Sequence, residues 1–254
     1  MTSAASELAL LPVYRIRPLP LSYVRQDLGR FTYLHNNGTN VDLPIFAWYI
    51  EGGSQRILVD TGANAEHMKK HRDFDAHDID SFDEALLKKV GLHPEDIDLV
   101  IQTHLMLDHC ANTSKCRNAR IVVQQKELEF AVAPHPILAS MYVRELYMGL
   151  DFQLVNGFSE ILPGIELMPI GGHSPGCQAV SVNTVKGKAI ISGECTLEEN
   201  YYPRAEARGT MPVIPAGIHL DAVGAFNSAL RIKGMADVIV PVHEPGLVNV
   251  DSIP

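Results

Sequence analysis

The densest run of reactive side chains in the sequence is Thr103-His104-Leu105-Met106-Leu107-Asp108-His109-Cys110, which puts two imidazoles and a carboxylate within six residues. Imidazole and carboxylate together suit Zn²⁺, Fe²⁺ or Mn²⁺ and not a site made only of oxygen donors. Asp108 and His109 are adjacent, so a tight turn lets both face one ion, and His104 is close enough to serve a neighbouring one. The same pattern recurs elsewhere. The apolar runs RILVD, DLVIQTH, IELMPIGGH, KAIISGE and DVIVPVH end at Asp60, His104, His173, Glu194 and His243. Any one of these alone reads as a polar residue marking a strand end. Layered α/β folds build sites at the ends of strands, so five such endings predict that distant residues meet on one rim.

Those residues need strands to carry them. VYRIRPL, LPIFAWYIEG and RILVDTG are rich in branched and aromatic residues and bounded by Gly, Pro and Asn, the signature of strands. Ser81 and Glu84 form a capping-box pattern ahead of an apolar helix that Gly91 ends. Residues 98–102 and 119–124 read as buried strands, with a helix over 125–132. Apolar residues at Ile137, Met141, Tyr142, Leu146 and Met148 have near-helical spacing, which predicts a helix over 136–149 that could floor an acyl pocket. IELMPI, QAVSVNTV and KAIISG follow as strands, then a helix from Asp221 and a last strand DVIVPV. Interspersed strands and helices, with strands in the majority, predict a layered α/β fold with sheets buried against helices.

Composition bounds the function. The 254 residues carry 21 Lys+Arg against 30 Asp+Glu, a formal charge of −9. That balance gives no pull toward phosphate backbones or anionic membranes, so nucleic acid and membrane are not expected partners. A hydrophobic share of 46% excludes a disordered chain. No repeat or linker divides residues 1–254, which predicts a single domain. Cysteines at 110, 116, 177 and 195 form neither a CxxC pattern nor a disulfide framework, and no leader or bilayer-length apolar stretch is evident; a cytoplasmic protein is expected. The apolar arm Leu8–Val13 either edges a sheet or packs across a homodimer.

The string T-H-x-x-x-D-H, with LVDTG upstream, G-H-S-P-G downstream, an acidic strand end and a late histidine, resembles the metallo-β-lactamase superfamily. Within it the chain is similar to the N-acyl homoserine lactonase group, through LVDTG, DHC at 108–110 and ENY at 199–201. The resemblance implies a four-layer αββα sandwich with a metal site on one edge, one or two divalent ions (zinc first, iron or manganese as alternatives), a small-molecule substrate and a quorum-quenching hydrolase. It implies His104, Asp108, His109, His173, Glu194 and His243 as metal ligands, with Asp108 also catalytic. Asp108 would orient the attacking water and then protonate the leaving alkoxide of a lactone or related cyclic ester or amide.

Two positions depart from the family's pattern. Met106 stands where H-x-H-x-D-H has its second histidine, and a neutral thioether is a poor partner for such ions. Glu194 stands for the bridging aspartate, one methylene longer, so it could bridge, hold one ion or miss. Three readings stay open. One ion binds through Asp108, His109 and His243; or two bind, with Glu194 or water filling the gap; or the scaffold binds a small molecule without turnover. His219 and Cys195 are candidate substitute donors, weighed against a helix-start or surface histidine and a small buried residue. Asp60 is expected to support the site by hydrogen bonding. His67, His71, His77, His93 and His135 read as surface, and Tyr201 and Tyr202 fall a few residues beyond the place where the lactonases carry a helper tyrosine.

Overall fold

The structure, a computed structural model, describes residues 11–205 and 211–254. Of the apolar arm, Leu8, Ala9 and Leu10 lie outside the described residues. The first sheet has seven strands: β1 (Arg15–Asp27), β2 (Asn40–Glu51), β3 (Ile57–Val59), β4 (Ala76–Asp78), β5 (Leu99–Ile101), β6 (Arg120–Gln124) and β7 (Phe152–Val155), in the order β4-β1-β2-β3-β5-β6-β7. The second has five: β8 (Ser159–Leu162), β9 (Ile165–Pro169), β10 (Gln178–Thr184), β11 (Gly187–Ile191) and β12 (Val238–Val240), in the order β12-β11-β10-β9-β8.

Side-chain alternation makes this a sandwich. Phe46, Trp48 and Ile50 of β2 face inward and meet Leu167, Val180, Val182 and Ile191 of the second sheet. Ala47 and Tyr49 face the other way, onto Phe82, Ala85 and Leu86 of α2 (Phe82–Val90). The outer face of the second sheet, through Met168, Ala179 and Ile190, packs on Ala229 and Ile232 of α6 (Ala222–Met235). The result is the expected αββα layering. Ser81 caps α2 by accepting from Glu84 N–H, and Gly91 ends it at φ 78°, as the sequence pattern predicts. Asp221 caps α6 through Val223 N–H.

The strand directions place the chemistry. β3, β5 and β6 are mutually parallel, so their C-terminal ends share one edge. β11 and β12 are parallel, and β9 runs in the same direction as β11 because both are antiparallel to β10.

The predicted helix over 136–149 is absent. Pro134 precedes the segment, Pro136 opens it and Gly149 ends it at φ 92°, and within it only the 3-10 turns Ala139–Met141 and Arg144–Leu146 form. Its apolar residues are still used: Leu138, Met141, Tyr142 and Tyr147 pack on Met106 and Val123. His71 is half-buried against Glu145, where a surface residue was expected, whereas His77, His93 and His135 are exposed. Among the described residues no helix is long and apolar enough to cross a membrane.

The G-H-S-P-G loop is held by close backbone approach. A Cβ on Gly176 would lie 2.0 Å from Glu127 N and 2.4 Å from Glu127 Cα, on α4 (Gln125–Val132). Gly176→Ala must therefore push the loop off that helix. The expected cost is about 1–3 kcal/mol, read as a lower urea midpoint; an unchanged midpoint would contradict the contact.

Candidate metal centre

Five loops leave the two sheets at one edge and carry the polar residues with them. Asp60 follows β3, His104 follows β5, and Asp108 and His109 sit in the single turn α3 (Leu107–Cys110). His173 comes from the loop after β9, Glu194 and Cys195 from the loop after β11, and His243 from the end of β12. α3 is docked onto the LVDTG turn: Thr61 and Gly62 N–H both donate to His109 O, and the Asn112 amide donates to Thr61 O.

Four ligand atoms converge. One each from Asp108, His109, Cys195 and His243 lie within 4.8 Å of one another, all buried. Asp108 Oδ2 is 3.7 Å from both His109 Nε2 and His243 Nε2. The imidazoles are oriented from behind. His109 Nδ1 donates to Asp60 Oδ2 at 2.7 Å, and His243 Nδ1 to the Pro44 carbonyl at 3.0 Å. These acceptors fix the protonated nitrogen as Nδ1 and leave the Nε2 lone pairs aimed at the centre. Asp108 Oδ1, His109 Nε2 and His243 Nε2 are all shielded from solvent with no hydrogen-bond partner. Three orphaned acceptors at one point are costly unless a cation satisfies them.

The electrostatics agree. Burial alone raises the Cys195 thiol, but His173, His109 and His243 around it reverse the shift and hold it well below the ordinary thiol range. Burial works against charge on His109, yet Asp108 and Asp60 outweigh it and lift its pKa well above the ordinary value. The pocket attracts positive charge. A carboxylate, two imidazoles and a cysteine sulfur suit zinc or another borderline divalent ion, so the residues present fit a metal.

His104 and His173 form the neighbouring half. His173 Nδ1 donates to the Ile218 carbonyl at 2.7 Å. His104 Nδ1 is 3.1 Å from the Thr103 hydroxyl, whose own proton goes to Asp60. Both Nε2 lone pairs therefore face each other across 3.2 Å. Something positive must lie between them. A proton on His173 does so, its pKa lifted to about 9 because Cys195 beside it outweighs the cost of burial. A tetrahedral ion would fit as well, since two nitrogens at about 2.0–2.1 Å from it stand about 3.3 Å apart.

Met106 offers nothing to either half: it is fully buried among Leu105, Val123, Met141 and Tyr147. Glu194, expected among the ligands, lies outside the converging group, and Cys195 stands in it instead. Gly193 makes the turn at φ 76°, tight enough that a Cβ would meet Gln178 O at 2.0 Å, and the two residues after it take different directions. Both Glu194 oxygens are buried without a hydrogen-bond partner, and burial pushes the carboxyl up to about 8. His219 donates to the Ala216 carbonyl, packs edge-on against Tyr33 and is not in the group. Tyr201 is buried in the core against α6, and Tyr202 is exposed.

A narrow cleft beside the centre is lined by Val24, Gln26, Arg30, Phe31, Met68, Phe74, Met141 and Ile218 together with Asp108, Cys195 and His243. Buried Glu127 accepts from Leu105 N–H, the Tyr142 hydroxyl and the Ser174 hydroxyl, joining the two histidine loops. No pattern in the sequence marked Glu127 or the cleft walls Val24, Gln26, Arg30, Phe31, Met68, Phe74 and Ile218, whereas Met141 was in the segment expected to floor a pocket. Cys195 was visible only as a neighbour of the acidic strand end.

Comparison with known proteins agrees with this architecture. A family model described as Metallo-beta-lactamase superfamily matches residues 40–243. An N-acyl homoserine lactonase of a Bacillus species is 29% identical over 175 residues, covering 65% of this chain and 67% of the relative. N-acyl homoserine lactonase AiiB of Agrobacterium fabrum is 26% identical over 219 residues, covering 78% and 76%. The crystal structure of a quorum-quenching N-acyl homoserine lactone lactonase superposes with a TM-score of 0.75 at 24% identity, covering 93% of this chain and 95% of that one. AidC, a dizinc quorum-quenching lactonase, superposes with a TM-score of 0.63 at 17% identity, covering 93% and 89%. With the family model spanning most of the chain, this protein belongs to the metallo-beta-lactamase superfamily.

Proposed function

We propose that the protein is a metal-dependent hydrolase that opens a lactone or a related cyclic ester or amide. The observation that carries this reading is the convergence of Asp108, His109, Cys195 and His243, with three orphaned acceptor atoms, beside a largely apolar cleft. The relatives named as N-acyl homoserine lactonases support the choice of bond.

Asp108, His109, Cys195 and His243 would hold the ion, and His104 and His173 flank it. A divalent cation held there supplies Lewis acidity, lowering the pKa of water and stabilising negative charge that develops on a carbonyl oxygen. The chain's own residues do the rest. Asp108, which lines the cleft, would accept from an attacking water and orient it toward the carbonyl carbon. It then returns that proton to the leaving oxygen. In a lactone the leaving group stays tethered, and the product is a hydroxy acid. Phe31, Met68, Phe74 and Met141 wall the cleft, exclude bulk water and strengthen the electrostatics within. Asp60 acts through His109, fixing its tautomer and angle. The cysteine sulfur favours zinc or iron over manganese.

Two outcomes are expected. Asp108→Asn, compared at equal zinc content, lowers kcat by about 10²–10⁴-fold toward a γ-lactone panel; full turnover in the metal-replete variant would remove Asp108 from the mechanism. Asp60→Asn weakens zinc binding by about 10–100-fold in competition with a chromophoric chelator. An unaltered affinity would show that the buried hydrogen bond to His109 does not tune the site.

A further inference from the structure

The cleft has a charged rim that hydrolysis as described above does not use. Arg30 ends the 3-10 turn Leu28–Arg30 after β1 and lines the cleft beside Phe31 and Gln26. Among the described residues its guanidinium makes no hydrogen bond, ion pair or ring contact. Arg72, the last residue of α1 (Ala65–Arg72), lies over the ring of Phe74, 5.1 Å from its centroid, and Phe74 is a wall of the cleft. Arg72 Nε is shielded from solvent with no hydrogen-bond partner. Burial, and then the nearby charge of Arg30, depress the Arg72 guanidinium, so the two cations are close enough to repel. Asp73 and Asp75 bracket Phe74 in sequence and are exposed, yet neither pairs with these arginines.

Acidic residues outnumber basic ones 30 to 21 in this chain, and Arg17, Arg25, Arg56 and Arg117 all sit on carboxylates. Among the described residues Arg15, Arg120, Arg144 and Arg231 also lack a carboxylate partner. Of the arginines without one, only Arg30 lines the cleft and only Arg72 packs on one of its walls, Phe74. A guanidinium is a planar fork of donors matched to a carboxylate, and its pull is strengthened beside apolar walls. A neutral substrate would leave the charge of Arg30 at the cleft, and that of Arg72 behind Phe74, without a counterion. Resting on the reading of this cleft as the substrate site, we propose that the substrate carries a carboxylate away from its scissile carbonyl, bound by Arg30 and reinforced by the charge of Arg72.

The test uses the zinc-loaded protein and two probes that share a tetrahydrofuran ring and an alkyl chain, one ending in a carboxylate and the other in a carboxamide. Calorimetry should find the carboxylate bound about tenfold tighter or more at low salt, with the ratio shrinking as salt rises. In Arg30→Ala the ratio falls to within about twofold, and in Arg72→Gln it falls part of the way. Arg30 is exposed, so its removal leaves the core untouched. Equal affinity for both probes in the wild type would overturn the proposal. So would a preference that survives in Arg30→Ala, because the carboxylate would then be seated on the metal. Neither probe can be hydrolysed, so a failure to turn over lactones would count against the proposed function alone.

Discussion

Asp60 is fully buried at a left-handed backbone angle, φ 55°, and receives Thr103 N–H, the Thr103 hydroxyl and His109 Nδ1–H at 2.7–2.8 Å. A non-glycine residue held in that conformation is strained, and three charge-assisted hydrogen bonds are what hold it there. Through them one carboxylate locks the end of β3 to the loop after β5 and sets the imidazole of His109. It also takes the Thr103 proton, which leaves that hydroxyl as an acceptor for His104. One histidine in each half of the site, His109 and His104, thus takes its tautomer from this buried side chain. His243 and His173 take theirs from the Pro44 and Ile218 carbonyls.

The sheet topology makes this arrangement available. Parallel strands in each sheet release their C-terminal loops on the same edge, so residues from position 60 to position 243 reach one point without long excursions. Close backbone packing then removes slack. Gly176 lies against Glu127, Gly193 against Gln178 O, and the Glu127 carboxylate ties Leu105 to Ser174. The lone pairs converge because the loops behind them cannot relax, and that preorganisation is what a hydrolytic metal site requires.

Much of this was legible in the sequence. That His104, His173 and His243 follow strands and reach one edge could be read from apolar runs because a buried strand has to be apolar and its terminus need not be. The helix over 82–90 was legible because its capping residues act locally. The segment 136–149 has helical spacing, but packing of Leu138, Met141, Tyr142 and Tyr147 on Met106 and Val123 is met by two short turns, and that is not a matter of periodicity. The choice between Glu194 and Cys195 was illegible for a different reason. Which of two consecutive residues faces the site depends on the turn at Gly193, set by its approach to β10, a contact made only in the folded chain.

Cys195 is the residue on which the proposed ligand set rests most heavily. X-ray absorption at the zinc edge of the metal-loaded protein measures its ligation directly. One sulfur scatterer at about 2.3 Å is predicted in the wild type and none in Cys195→Ser. A shell made only of nitrogen and oxygen at about 2.0–2.1 Å in the wild type would contradict it.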